Sequence, residues 1–254
     1  MKLYYQIVGT GQPLVILHGL FGSSDNWRAI AKELATQAQV ITVDLRNHGR
    51  SPHSSQQTYA LMVEDLVELF DRLKLDKVDI IGHSMGGKVA MAFSERYPQW
   101  LRRLVVVDIA PRQYHDEHSA IFRVLLALDL SLYTSRNEVD DALKIALPNK
   151  TVRQFLLMNL AINGEQLSWR INLQALYENY SQLLVAVCED ETIMIPGCFI
   201  RGGQSYYIRD EDEDLIRTCF PYAELATIEQ AGHWVHAAAP QQFLTKITEF
   251  LDYD

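Results

Sequence analysis

Val78-Asp79-Ile80-Ile81-Gly82-His83-Ser84-Met85-Gly86-Gly87 decides the fold: an apolar, β-branched run breaks at a Gly-x-Ser-x-Gly turn and continues as a helix. The serine of such a turn is held in a strained backbone conformation, and Gly82 and Gly86 leave room that side chains would otherwise fill. Ser84 then stands clear of the sheet at a helix amino terminus. Backbone donors and the positive end of the helix dipole meet developing negative charge there. A five-residue match also arises by chance, as a glycine-rich turn with an ordinary serine. The strand before it and the helix after it favour a nucleophile.

Working outward, short β-branched runs alternate with longer stretches of helical period, the pattern of an α/β protein with a mainly parallel sheet flanked by helices. Strands are predicted at 2–8, 14–18, 39–44, 77–82 and 103–108, and again at 197–201 and 223–228. Helices are predicted at 26–35, 60–73, 85–96 (stopped by Pro98) and 241–251. Between Ser119 and Cys188 the pattern offers amphipathic helices, at 121–130, 139–147, 152–162 and 173–184, and no convincing strand. The expectation is one catalytic domain, with a core of residues 1–110 and 196–254 and a helical cap inserted at 111–195. A separate helical domain is disfavoured, since no Pro/Gly/Ser-rich linker bounds the insertion.

Length and composition agree with that reading. The 254 residues are 48% hydrophobic, enough for a sizeable core. The net charge of -9, from 23 basic and 32 acidic side chains, argues against a nucleic-acid partner, which needs clustered Lys and Arg. The acidic run from Asp210 to Asp214 reads as a solvated helix start. Cys188, Cys198 and Cys219 show no paired spacing, so they read as reduced thiols and the expected location is cytoplasmic. The amino-terminal stretch lacks the apolar core of a signal peptide. The run from Leu14 to Leu17 is too short to span a bilayer, so no stable membrane insertion is expected. No His/Asp/Glu spacing matches a metal-ligand set, and no cofactor is called for.

A serine nucleophile needs oxyanion donors and a base. Leu14-Val15-Ile16-Leu17-His18-Gly19-Leu20-Phe21-Gly22 is a second strand that breaks into a glycine-containing loop, and the backbone N–H groups of Leu20 and Met85 fit the two donor places. His18, which starts that loop, reads as a structural hydrogen-bonding residue. The base should come late in the chain, and His233 of Ala231-Gly232-His233-Trp234 follows the last strand and precedes the closing helix. His236 reads as a capping or packing residue, and His48, His53, His115 and His118 as solvated loop residues. Among carboxylates, Asp44 reads as a turn residue, and Asp190 and Glu191 precede their strand and so should face the wrong edge. Asp108 ends the strand just after the nucleophile strand, on the same edge as Ser84. Asp210 is its alternative as the acid that orients the base.

Leu17-His18-Gly19-Leu20-Phe21-Gly22, Val43-Asp44-Leu45-Arg46-Asn47-His48-Gly49, Gly82-His83-Ser84-Met85-Gly86-Gly87 and Ala231-Gly232-His233-Trp234-Val235-His236 together resemble the α/β-hydrolase superfamily, and more closely the bacterial YbfF-like esterases. The order and spacing of these motifs cover nearly the whole chain. The resemblance implies an α/β-hydrolase fold with a helical cap and a hydrolase of acyl esters or acyl thioesters. One position departs from the common superfamily pattern. Most members carry an aspartate in the turn after the strand at 197–201, whereas this turn reads Gly202-Gly203-Gln204-Ser205. Ser205 cannot carry the charge that stabilises an imidazolium. The YbfF-like resemblance supports Asp108 in its place.

The expected function is therefore hydrolysis of a small-molecule acyl ester or thioester through an acyl-enzyme, by Ser84, His233 and Asp108. Phe21 and Trp234 neighbour these residues in sequence and are candidate substrate contacts, as is Met85, although core packing explains each equally well. Carbon–carbon bond hydrolases and cofactor-free haloperoxidases also use a serine elbow and stay open. A non-catalytic ligand-binding homologue is disfavoured, because a binder has no need of nucleophile, base and two oxyanion donors together.

Overall fold

The computed structural model describes residues 1–164, 166–188 and 191–253. Seven strands form one sheet in the order β1-β3-β2-β4-β5-β8-β9. They are β1 (Tyr4–Val8), β2 (Pro13–Leu17), β3 (Gln39–Asp44), β4 (Val78–His83), β5 (Leu101–Val107), β8 (Gly197–Gly202) and β9 (Ala223–Ile228). Only β1 is antiparallel to its neighbour, and every other pairing is parallel. β6 (Leu160–Asn163) and β7 (Gln166–Trp169) form a separate antiparallel pair.

The central strands are apolar at nearly every position because both faces of the sheet are covered. Alternate residues feed two cores. Val15, Leu17, Ile41, Val43, Ile80 and Val106 face one side. Leu14, Ile16, Val40, Ile81, Val105 and Val107 face the other. The eleven α-helices among the described residues are α1 (Arg28–Leu34), α2 (Tyr59–Leu73), α3 (Met85–Arg96), α4 (Ser119–Ala127), α5 (Arg136–Leu143), α6 (Lys150–Leu157), α7 (Leu173–Glu178), α8 (Tyr180–Leu184), α9 (Glu213–Cys219), α10 (Val235–Ala238) and α11 (Pro240–Leu251). α2 and α3 supply Leu66, Phe70, Val89 and Phe93 to the first core, and α1 and α11 supply Ile30, Leu34, Phe243 and Ile247 to the second. No helix among the described residues is long and apolar enough to cross a membrane.

The segment between β5 and β8 is mainly helical, but the helix expected over 152–162 ends at Leu157, and β6 and β7 follow it. Asn159 is the reason. Its backbone N–H and side-chain amide turn back to the Leu156 carbonyl, and the same amide also donates to Phe21 O at 2.7 Å. A tertiary bond to the core thus overrides the local helical period. The helix expected over 173–184 is likewise two short helices that meet at Asn179. Further bonds tie the segment to the core, from Asn172 N to Asn47 O at 2.9 Å and from Tyr59 Oη, at the start of α2, to Leu183 O at 2.7 Å.

The acidic run is only partly a solvated helix start. Asp212 is buried and ion-paired with Arg112 at 2.8 Å, whereas Asp210 stays exposed. Glu191 is exposed and precedes β8, and Asp190 lies outside the described residues.

Candidate active site

Ser84 joins β4 to α3 with φ 51° and ψ −117°, a combination that a non-glycine residue adopts only under strain. The glycines at either side are obligatory on steric grounds. A Cβ on Gly82 would lie 2.3 Å from Gly86 O, and one on Gly86 would lie 2.5 Å from Leu17 O and 2.6 Å from His18 O. The turn is pinned to the neighbouring strand, since Ser84 N donates to Val107 O at 3.0 Å.

The loop after β2 lies against this turn. Leu20 and Met85, the two candidate oxyanion donors, line one cavity with Ser84. Phe21 has φ 61°, and its carbonyl is the acceptor that Asn159 holds. His18 is fully committed to the backbone. Its Nδ1–H donates to Gly19 O at 2.8 Å and its Nε2 accepts from Leu45 N at 3.0 Å. Burial pulls its pKa down to about 4, so the ring stays neutral and braces the loop.

His233 sits on the loop between β9 and α10, with 19% of its side chain exposed. Its Nδ1–H donates to Asp108 Oδ2 at 2.8 Å. Asp108 lies just past β5, fully buried and at φ 53°, a left-handed conformation that Asp tolerates better than most residues. Its Oδ1 accepts from Gly202 N at 3.0 Å, and Ser205 Oγ donates to its Oδ2. The turn that carries no aspartate therefore still meets the Asp108 carboxylate, as a donor rather than as a charge. Asp210 is elsewhere: 87% exposed, it pairs with Arg201 at 2.6 Å.

A second layer holds the imidazole. Tyr207 stacks on it with ring centroids 3.9 Å apart and planes 22° from parallel. Burial, together with the charge of the nearby Glu117 carboxylate, pushes the Tyr207 phenol up, so this hydroxyl stays protonated. His83 Nε2–H donates to the His233 carbonyl at 2.9 Å. Nothing in the sequence assigns Tyr207, Glu117 or His83 a role at this site. Only Ser205, at the vacant acid position two residues before Tyr207, pointed to that loop.

The remaining histidines divide. His236 packs as expected, its ring stacked 4.0 Å from Trp27, although it belongs to α10 rather than to the last helix. His53 and His115 are exposed. His48 is not solvated: it is buried, its Nδ1–H donates to Arg46 O at 2.9 Å, and burial pulls its pKa to about 3. His118 is not free in a loop either. It faces the cavity beside Ser84 and its Nδ1 lies 2.8 Å from Tyr180 Oη. Asp44 is the buried turn residue it was expected to be, accepting from Ser24 N at 2.6 Å and Arg50 N at 2.8 Å.

Two cavities meet at Ser84. One, with an empty volume of about 430 Å³, runs under α8 between Met85, Lys88, Ile109 and Leu183. The other, of about 690 Å³, is lined by Phe21, Ile121, Val152, Phe155, His233 and Trp234. Phe21 and Trp234 thus border the space beside Ser84, and Phe21 also packs on Phe122, so it serves core and cavity together.

The sequence profile of the α/β-hydrolase fold matches residues 12–183. The chain belongs to the α/β-hydrolases. A zebrafish relative, an sn-1-specific diacylglycerol lipase ABHD11, is 41% identical over 251 residues, covering 96% of this chain and 79% of its own. Esterase YbfF of Escherichia coli is 37% identical over 241 residues, covering 94% of this chain and 93% of its own, as the resemblance in the motifs anticipates. The solved structure of a marine microorganism esterase superimposes with a TM-score of 0.96 at 40% identity, over 98% of this chain and 99% of that one. This α/β-hydrolase is a serine hydrolase of carboxylic esters.

Proposed function

We propose that this hydrolase cleaves esters and acyl thioesters of small molecules by two-step acyl transfer through Ser84. The observation that carries the reading is the pairing of Asp108 with His233 beside the cavity where Ser84 stands on its strained turn. His233, oriented by Asp108, takes the Ser84 proton as Oγ attacks the carbonyl carbon. The N–H groups of Leu20 and Met85 hold the oxyanion. His233 then protonates the leaving group, and water activated by the same ring releases the acid. The inserted segment from 111 to 195 acts as a cap, since α4, α6 and α8 border the cavities. Three free, buried thiols fit a reducing cytoplasmic setting.

The test is a hydrolysis panel of esters and acyl thioesters of graded chain length, extended to acylglycerols because the zebrafish relative is a diacylglycerol lipase. Wild type is expected to turn over members of both the ester and thioester sets, and Ser84→Ala to lose about 10⁶-fold in kcat. Equal turnover by Ser84→Ala would reject the nucleophile, and turnover of esters alone would remove the thioester half of the proposal.

A further inference from the structure

We infer that Asn159, from the inserted segment, is a positioning residue for the oxyanion hole, acting through the turn that carries the Leu20 N–H. This rests on the acyl-enzyme reading, in which that N–H holds the oxyanion. Residues 19–22 form a β-turn closed by a hydrogen bond from Gly22 N to Gly19 O at 2.9 Å. The turn lies against the nucleophile: a Cβ on Gly19 would stand 3.2 Å from Ser84 Cβ and 2.9 Å from Nδ1 of the His83 ring. Of its two central residues, Phe21 has a positive φ, 61°, and Leu20 does not, which is the type II form. That form favours glycine where Phe21 stands, because a side chain at such a φ is strained. Unsupported, the turn would relax toward the type I form, in which the peptide between Leu20 and Phe21 is turned over. The Leu20 donor lies within the same few bonds and would lose its aim.

The support comes from the inserted segment. Asn159 Nδ2 donates to Phe21 O at 2.7 Å, and the Phe21 ring packs on Phe122 of α4 with centroids 4.7 Å apart. Asn159 is itself fixed before it reaches across. Its backbone N–H donates to Leu156 O at 3.1 Å near the end of α6, and its carbonyl accepts from Arg170 N at 2.8 Å just past β7. The side-chain amide also donates to Leu156 O at 3.2 Å, and the residue is buried, so its direction is set. A second tie runs beside it, from Asn26 Nδ2 to Met158 Sδ at 3.2 Å, and Asn26 Oδ1 accepts from Ser23 N at 2.6 Å, one residue past the turn. Held at both carbonyl and ring, Phe21 keeps its strained conformation and the Leu20 N–H stays where the oxyanion forms. A donor aimed in advance favours the transition state over the bound ester, whose carbonyl oxygen carries less charge. Docking of the inserted segment thus completes the hole as well as walling the cavities.

The test sets kcat and KM on one activated ester against the Ki of a trifluoromethyl ketone, whose carbonyl carbon bonds Ser84 Oγ and whose oxygen becomes an oxyanion in the same hole. Asn159→Leu keeps the size of the side chain and removes the donor. It should lower kcat by about 30-fold, short of the roughly 100-fold that loss of an oxyanion donor itself costs, with KM unchanged and Ki raised by the same factor as kcat falls. Asn159→Ala stands in if Asn159→Leu does not fold. A role in stability alone would lower the fraction of active enzyme and leave Ki where it was. Phe21→Gly supplies the rescue, since glycine adopts the positive φ without strain: in that background Asn159→Leu should cost several-fold less than in wild type. An unchanged Ki in Asn159→Leu, or an equal loss in both backgrounds, would overturn the positioning role. Failure of the ketone to inhibit wild type would instead strike the oxyanion reading beneath it.

Discussion

Two turns at the carboxyl edge of the sheet, one from β4 into α3 and one after β8, each carry a serine of the candidate site, and they are built in opposite ways. The first is local. Ser84 is strained by its own chain, and the glycines that permit the strain are two residues away on either side, packed against each other and against the β2 carbonyls. The second is assembled from distant parts. Ser205 and Gly202 donate to Asp108, which comes from β5, and Asp108 accepts from His233, which follows β9. Strain can be written into five consecutive residues. A buried charge needs donors from several strands, because burial without hydrogen bonds is too costly.

After the loss of Ser84 itself, the largest expected effect breaks the assembly around the second turn. Asp108→Asn should lower kcat on an activated ester by about 10⁴-fold, since a neutral amide neither fixes the tautomer nor stabilises the imidazolium. The first turn should fail as structure before it fails as chemistry. Gly86→Ala places a methyl group within 2.6 Å of two backbone oxygens that cannot move aside without shifting β2. A loss on the order of 3–4 kcal/mol in denaturant unfolding is expected. Normal stability with intact turnover would show the elbow to be less tightly packed than described.

The histidines under the first turn supply a pH dependence. His18, His48 and His236 are buried neutral, with pKa values pulled to about 4, 3 and 3 by desolvation. Their unfolded values lie near 6.5, so the unfolded chain binds more protons below that pH. Stability is fully present above about pH 6.5 and is lost as the pH falls toward 4, by on the order of 1–2 kcal/mol per ring at pH 5. Denaturant midpoints at pH 7.5 and pH 5 measure it, and equal midpoints would contradict the buried neutral state.

The smallest effects sharpen the role of the second turn. Ser205→Ala removes one charge-assisted hydrogen bond from Asp108 and should cost about ten-fold in kcat. Asp210→Asn, by contrast, should leave kcat unchanged, because its carboxylate is exposed and paired with Arg201. A larger loss in Asp210→Asn than in Asp108→Asn would move the acid to the later loop.

The same contrast explains what the sequence reveals. The central strands are readable because both faces of the sheet are apolar, and the elbow because its glycines are adjacent to its serine. Asp108 is inferred from its position at a strand end. The Ser205 hydroxyl bond and the Tyr207 stack on His233 join residues from separate elements and leave no periodic trace. In the inserted segment, Asn159 stops a helix through a bond to Phe21. His48 reads as a polar loop residue, although the fold buries it between Arg46 O and the ring of His18.

The most direct test of the central claim is mass spectrometry of the enzyme quenched during turnover of an activated ester. One acyl mass increment is expected, on the peptide that contains Ser84, and none in Ser84→Ala. Turnover with no increment, or with the increment on another residue, would contradict it.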